Sequence, residues 1–83
     1  MKLLYFAWVR TKIGLGEETV ERPPEVATVS DLLRWLESRG DGYAEALANP
    51  SVIRVAVNHD FASPETTISN SDEIALFPPV TGG

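Results

Sequence analysis

Cysteine is absent from this sequence, and histidine occurs once, at position 59. Without thiols there can be no disulfide, no zinc–thiolate centre and no cysteine nucleophile, and the isolated His59 is too little for a metal site. Any sulfur chemistry therefore has to use a sulfur outside a side-chain thiol. Long apolar runs are missing too: none approaches the length of a bilayer span, and "MKLLYFAWVR" is too short and too soon charged for a secretory signal. The expected location is cytoplasmic, without a membrane partner. Positive charge is scarce, with 7 basic against 12 acidic side chains and a formal net charge of −5, so phosphate backbones are repelled and nucleic acid is not expected as a partner. The same charge suits a protein partner with a basic groove, and it also serves solubility.

What is present is one domain's worth of chain, 83 residues with 43% hydrophobic side chains. The opening "KLLYFAWV" is rich in branched and aromatic residues and reads as a strand of eight residues, with Leu3, Tyr5, Ala7 and Val9 on one face and Leu4, Phe6 and Trp8 on the other. "RTKIGLGEE" is loop chemistry, and "ETVER" reads as a polar strand that pairs back on the first, closed by Pro23 and Pro24. The strongest helical signal lies in "TVSDLLRWLESRG". Thr28 and Asp31 form a capping-box pattern, Val29, Leu32, Leu33 and Leu36 make an apolar stripe, and Gly40 is placed for a left-handed C-cap. "GYAEALAN" reads as a weaker helical turn or two, stopped at Asn49-Pro50. In "SVIRVAVN", Ile53, Val55 and Val57 alternate with polar or small neighbours and are core candidates. A turn at Asn58-His59-Asp60 leads to Phe61, "ETTI" is a candidate edge strand, and "EIALF" follows a polar turn as the last strand. Hairpin, helix, strand, short strand and strand is the order of an α+β, β-grasp (ubiquitin-like) fold. It has a mixed sheet, one main helix on one face, and first and last strands side by side.

The domain is expected to span 1–77, followed by a tail over 78–83. Pro78 and Pro79 end strand pairing and stiffen the chain, Val80 and Thr81 extend it, and Gly82-Gly83 removes every side chain at the tip. Six residues reach at most ~20 Å. At average glycine usage a terminal pair arises by chance about once in two hundred chains. A terminal carboxylate is ionised at neutral pH and a poor electrophile, so chemistry at Gly83 calls for activation by ATP inside a partner that the tail threads. Glycines suit that passage, having no Cβ to clash. Attack on the activated acyl group by an amine gives an isopeptide; attack by a persulfide gives a thiocarboxylate, a sulfur nucleophile that needs no cysteine.

"FPPVTGG", "DEIALF", "YFAWVR" and "VAVN" together resemble the small subunits of molybdopterin synthase, over essentially the whole chain. The resemblance implies a sulfur carrier, the sulfur-donating part of a sulfurtransferase. An adenylyltransferase similar to ubiquitin-activating enzymes would use ATP and magnesium to adenylate Gly83, and a sulfur-donor enzyme would convert the adenylate to a thiocarboxylate. The tail would then enter the large synthase subunit, in a heterotetramer, and give sulfur to cyclic pyranopterin monophosphate for molybdenum cofactor biosynthesis. Catalytic pterin-binding residues would lie on the large subunit, and no cofactor would be bound tightly here. Carriers for thiamine thiazole synthesis or tRNA thiolation share the fold and the diglycine, as do ubiquitin-like modifiers. A plain interaction domain with an incidental tail is a further reading.

Pattern also offers a docking surface. If the helix covers one sheet face, Phe6, Phe61 and Phe77 are candidates for the other, with Phe6 and Phe77 brought together by adjacent first and last strands. By resemblance these match the family's apolar contact surface, Arg10 at the end of the first strand would form an interface salt bridge, and Pro78 to Thr81 would follow the tail into the partner. His59 reads as a solvated loop residue, Asp72 and Glu73 as turn and strand-start residues, and Trp8 and Trp35 as packing.

Overall fold

A computed structural model describes residues 1–79; Val80, Thr81, Gly82 and Gly83 lie outside the described residues. The elements are β1 (Lys2–Tyr5), α1 (Ala7–Ile13), β2 (Glu17–Thr19), α2 (Val29–Glu37), α3 (Asp41–Ala46), a 3-10 turn at Pro50–Val52, β3 (Arg54–Val57), β4 (Asp60–Phe61) and β5 (Glu73–Phe77). The strands form one sheet in the order β2-β1-β5-β3-β4. β1 and β5 run parallel in its centre, and every other pair is antiparallel. This is the ubiquitin-like β-grasp that the order of elements implies.

Alternation along the strands sorts the sheet into two faces. Leu3, Tyr5, Val55, Ile74 and Leu76 point to the helices and are buried, where they meet Val29, Leu32 and Leu36 of α2 and Val9 of α1. Each fully buried Leu or Ile here stabilises the fold by ~1.5–3 kcal/mol. Of the expected β3 trio, Ile53 and Val55 are buried and Val57 is partly so.

α2 begins where the sequence pattern sets it. Thr28 Oγ1 accepts from Asp31 N at 3.2 Å, and Asp31 Oδ2 accepts from Thr28 N at 3.2 Å and Ala27 N at 3.0 Å. The backbone hydrogen bond from Ala27, with those from Thr28 and the charge of Arg34, holds the Asp31 carboxyl below the usual carboxylate range against a partial desolvation. The remaining amides of the first turn are met by the 62–68 loop, with Val29 N donating to Thr66 O and Ser30 N to Pro64 O, both at 2.9 Å. Every donor that a helix start leaves unpaired therefore has an acceptor. "ETTI", expected as an edge strand, makes a single bridge, Thr28 with Thr67; Thr66 O is used on this helix start and Ile68 N donates to Ala27 O.

The largest departure is at the first strand, which stops at Tyr5 rather than running to Val9. Both of its neighbours end there. Gly16 O takes the Tyr5 amide on one side, Leu76 O takes the Phe6 amide on the other, and two residues beyond Leu76 stands Pro78, which has no N–H. The chain turns through Ala7 in the left-handed region (φ 53°) into α1, whose Val9 and Ile13, one turn apart, face the core. Gly14, also left-handed (φ 91°), closes the helix by donating to Arg10 O at 2.8 Å. β2 accordingly sits at Glu17–Thr19, and "ETVER" contributes only its first residues. Trp8, expected as a packing residue on the strand face of Leu4 and Phe6, instead lies on α1, 37% exposed. Gly40 has the positive φ that favours glycine (88°), but with ψ −178° it is not the left-handed C-cap expected: α2 is capped by Ser38, and Gly40 is the N-cap of α3, its carbonyl accepting from Tyr43 N.

Candidate functional site

The sheet face away from the helices carries no covering element among the described residues. Register sets Leu4, Ala75, Ala56 and Phe61 in one row across four strands, β1, β5, β3 and β4. A second row pairs Phe77 with Arg54. Phe6 stays extended (φ −125°, ψ 156°), which keeps it on Leu4's side of the chain, and its amide donates to Leu76 O at 3.1 Å, so it stands beside Phe77. The structure thus brings Phe6, Phe61 and Phe77 onto one face, with the Phe61 and Phe77 ring centroids 6.0 Å apart.

Phe61 is 83% exposed and Phe6 49% exposed. Burying such a side chain is worth ~1.5–3 kcal/mol, so the fold leaves that stabilisation unrealised on this face. Contiguous exposed aromatics of this kind mark an interaction surface. Phe61 is held there by a tight turn. Asn58 and His59 are both left-handed (φ 52° and 75°), and Val57 pairs with Asp60 across them. The turn is pinned to the start of β5 by Asn58 N to Glu73 O at 2.7 Å, Glu73 N to Asn58 Oδ1 at 3.0 Å and Asn58 Nδ2 to Asp72 Oδ1 at 2.9 Å. The Asn58 hydrogen bond, with that from the Ser69 amide, holds the Asp72 carboxyl below its usual range. His59 projects into solvent with its side chain 86% exposed, 3.5 Å from Glu73. Asp72 and Glu73 are turn and strand-start residues, as expected.

β5 delivers the chain out of the sheet next to this surface, and Pro78 and Pro79 at its root are half-buried. The expectations placed on Val80, Thr81, Gly82 and Gly83 lie outside the described residues. Arg10 is exposed on α1, one turn past Phe6, rather than at the end of a strand. The reason is the early end of β1. Its guanidinium lies over Gly16, where an added Cβ would come within 3.1 Å of it.

Two features were not singled out from sequence. Arg54 stands within the apolar face, exposed, across from Phe77, and its Nη1 donates to Ser51 O at 3.1 Å. The alternation of β3 carries this signal, since it opposes Arg54 to the buried Val55. On the helix side, Glu18 Oε2 accepts from the Tyr5 hydroxyl at 2.7 Å and the Tyr43 hydroxyl at 2.6 Å, while Arg39 Nη1 lies 3.1 Å from Oε1. Arg39 in turn covers the Trp35 and Tyr43 rings, 5.1 and 4.5 Å from their centroids. Burial pulls the Glu18 carboxyl upward, but the hydrogen bonds from Tyr43, Tyr5 and Arg39 and the Arg39 charge prevail and hold it below the usual carboxylate range. Burial, then the Glu18 hydrogen bond, pushes Tyr43 up to about 12 and Tyr5 further. This cluster ties β1, β2 and α3 to the end of α2. Glu18 lies 13, 21 and 25 residues from Tyr5, Arg39 and Tyr43, and no local pattern links it to them.

Among the described residues no group of three or more His, Cys, Asp or Glu is placed to hold a metal, and no helix is long and apolar enough to cross a membrane.

Residues 3–83 match the ThiS family. The chain is 36% identical over 83 residues to the molybdopterin synthase sulfur carrier subunit of Haemophilus influenzae, covering 100% of this chain and 99% of that protein. It is 35% identical, with the same coverage, to the protein of that name in Escherichia coli K12. Among solved structures, small archaeal modifier protein 1 of Haloferax volcanii superposes with a TM-score of 0.74 at 29% identity, over 96% of this chain and 97% of that one.

Proposed function

The chain belongs to the ThiS family, and on that premise we propose that it is the sulfur-carrier small subunit of a molybdopterin synthase, working in the cytoplasm. The observation that carries the reading is the full-length likeness, through Gly82 and Gly83, to relatives named molybdopterin synthase sulfur carrier subunit.

The reading requires Gly83 to carry the free terminal carboxylate. An activating enzyme similar to ubiquitin-activating enzymes, using ATP and magnesium, joins that carboxylate to the α-phosphate of ATP with loss of pyrophosphate. The terminal sulfur of a donor enzyme's persulfide then displaces AMP to give an acyl disulfide, and a thiol cleaves its S–S bond, leaving a Gly83 thiocarboxylate and a disulfide on the donor side. The large subunit takes the loaded tail and the sulfur passes to cyclic pyranopterin monophosphate. On this reading Pro78 and Pro79 stiffen the chain where it leaves the sheet, and Val80, Thr81, Gly82 and Gly83 are the residues that enter the large subunit.

The described residues supply docking. The uncovered face, with Phe61 and Phe77 in tilted contact at the root of the tail and Phe6 beside them, buries against a partner and fixes where the tail enters. Arg10, one turn past Phe6, supplies charge at the border of that contact. A two-subunit-by-two-subunit assembly needs only this one face on each small subunit.

Alkylation of the protein isolated from its own cells, followed by tandem mass spectrometry of the intact chain, tests the reading. With no cysteine in the sequence, an alkylated sulfur on Gly83 is the expected result. A second reading, a ubiquitin-like modifier, is favoured by the likeness to small archaeal modifier protein 1, and Gly83 found in isopeptide linkage to lysines would establish it instead. Sulfur on Gly83 without turnover by the large subunit would point to a carrier for thiamine thiazole synthesis or tRNA thiolation.

A further inference from the structure

Four of the seven basic side chains are engaged by carboxylates on this chain: Lys2 by Glu17, Lys12 by Glu45, Arg34 by Asp31 and Arg39 by Glu18. A fifth, Arg22, is partly buried and donates to Val26 O. The two that remain exposed without a carboxylate among the described residues are Arg10 and Arg54. They stand on opposite sides of the place where β5 leaves the sheet, Arg10 beyond Phe6 and Arg54 across from Phe77. On a chain with 12 acidic side chains, these two guanidiniums beside the exit of β5 have no carboxylate partner among the described residues. The proposed function gives Arg10 a part at the border of the docking surface; it gives none to Arg54, which stands within that face across from Phe77.

Arg54 also lines a groove of about 300 Å³ that opens at the sheet edge. β4 is only two residues long and pairs only with Ala56 and Val57, so the first half of β3 has no outer strand. The groove passes around that edge from Phe61 to Leu33 of α2, with Ser51 and Pro64 in its walls. It is continuous with the open face, since Phe61 and Arg54 belong to both. We infer that Arg54 and this groove form a second docking site on the tail's far side, which takes an acidic side chain, flanked by an apolar one, from the protein that receives the tail. The inference deepens the proposed function and rests on it.

The chemistry follows from the side chains. A guanidinium offers paired N–H donors that match a carboxylate in its own plane, and it is weakly enough hydrated to do so beside aromatic rings. Its one side-chain hydrogen bond among the described residues, to Ser51 O, uses Nη1, and the other nitrogens are the donors offered to a partner. A carboxylate held there and a contact on the Arg10 side bracket the tail between two points, so the carrier docks in one rotational setting. Charges at such a border act chiefly on association rate and on the choice of partner.

The test is binding of the full-length chain to the molybdopterin synthase large subunit of the same organism, at about 0.05 M and about 0.5 M salt, where screening lengths differ by about threefold. Arg54→Glu is expected to weaken binding by at least about tenfold at the lower salt, chiefly through slower association, and to approach the wild type at the higher salt. Arg54→Lys should keep most of the affinity, and Arg54→Gln should fall between. Arg54 is exposed and makes one hydrogen bond, so these variants should melt with the wild type; if Arg54→Glu does not, the Lys and Gln variants carry the comparison. Unchanged affinity and association rate at low salt overturn the inference, as does a loss that salt leaves untouched, which would mean that shape rather than charge is read. Failure of the wild type itself to bind the large subunit would overturn the proposed function, and this inference with it.

Discussion

Glu18 is where a single atom group has the most to lose. Replacing it by alanine takes away the acceptor for two tyrosine hydroxyls and the counter-ion of Arg39. Tyr5 is only 1% exposed, so its hydroxyl is left buried without a partner, at ~1–3 kcal/mol. Tyr43 is less buried and can turn to water. The Arg39 to Glu18 pair is partly exposed, with side chains 31% and 14% accessible, and contributes about 0.5–1 kcal/mol. The sum is ~1.5–4 kcal/mol. A domain of this size holds ~4–12 kcal/mol in all, so the midpoint of thermal unfolding should drop by about 6–30 °C. Urea unfolding followed by tryptophan fluorescence at neutral pH measures the difference, and a double-mutant cycle with Tyr5→Phe should return a coupling above ~1 kcal/mol. The effect has a definite pH sign. The folded-state pKa of Glu18 is lowered, so its stabilisation is complete above the unfolded-state carboxylate pKa and is lost as pH falls through the lower folded value. Wild type and Glu18→Ala should therefore converge on acidification. A difference below ~0.5 kcal/mol at neutral pH, or one that does not shrink in acid, would refute the reasoning.

Gly42 lies inside α3 with the end of α1 against it, and a Cβ there would overlap the Lys12 carbonyl and crowd Ile13 Cα. Helix propensity alone favours Gly42→Ala by ~1 kcal/mol, whereas displacing the two helices costs ~1–3 kcal/mol, so a chemical-denaturation measurement should show net loss; a gain would mean the helices move apart freely. Phe61→Ala, at a side chain 83% exposed, should leave unfolding stability within ~0.5 kcal/mol of wild type while weakening binding of the large subunit by at least about tenfold, and equal binding in a titration would remove Phe61 from the docking face.

The parts of the fold legible in the sequence are those set by neighbours in the chain. α2 is one: its capping box and apolar stripe are separated by three or four residues, and the helix starts at the box. β3 is another, where alternation marks Ile53 and Val55 as core and both are buried. The three phenylalanines could be assigned to one face because strand parity and the β-grasp order fix which side each takes. The first strand was misjudged because aromatic and branched residues favour a strand wherever a partner is available, and for residues 6–9 none is: Gly16 and Pro78 end both neighbours. The spacing of Val9 and Ile13 and the glycine at 14 did hold a helical signal, outweighed by composition.

The sequence by itself determined the chemical possibilities: no thiol, a net acidic surface, a diproline stem and a diglycine, and the strand and helix periods that admit this fold. Only the tertiary structure decided which residues meet. Parallel pairing of β1 with β5 sets Phe6 beside Phe77 across 71 positions, the short β4 uncovers the groove beside Arg54, and β2 carries Glu18 to two tyrosines and an arginine. Such contacts depend on register between distant segments, and register is chosen by burying one whole face of the sheet at once, a collective choice that no short window of sequence encodes.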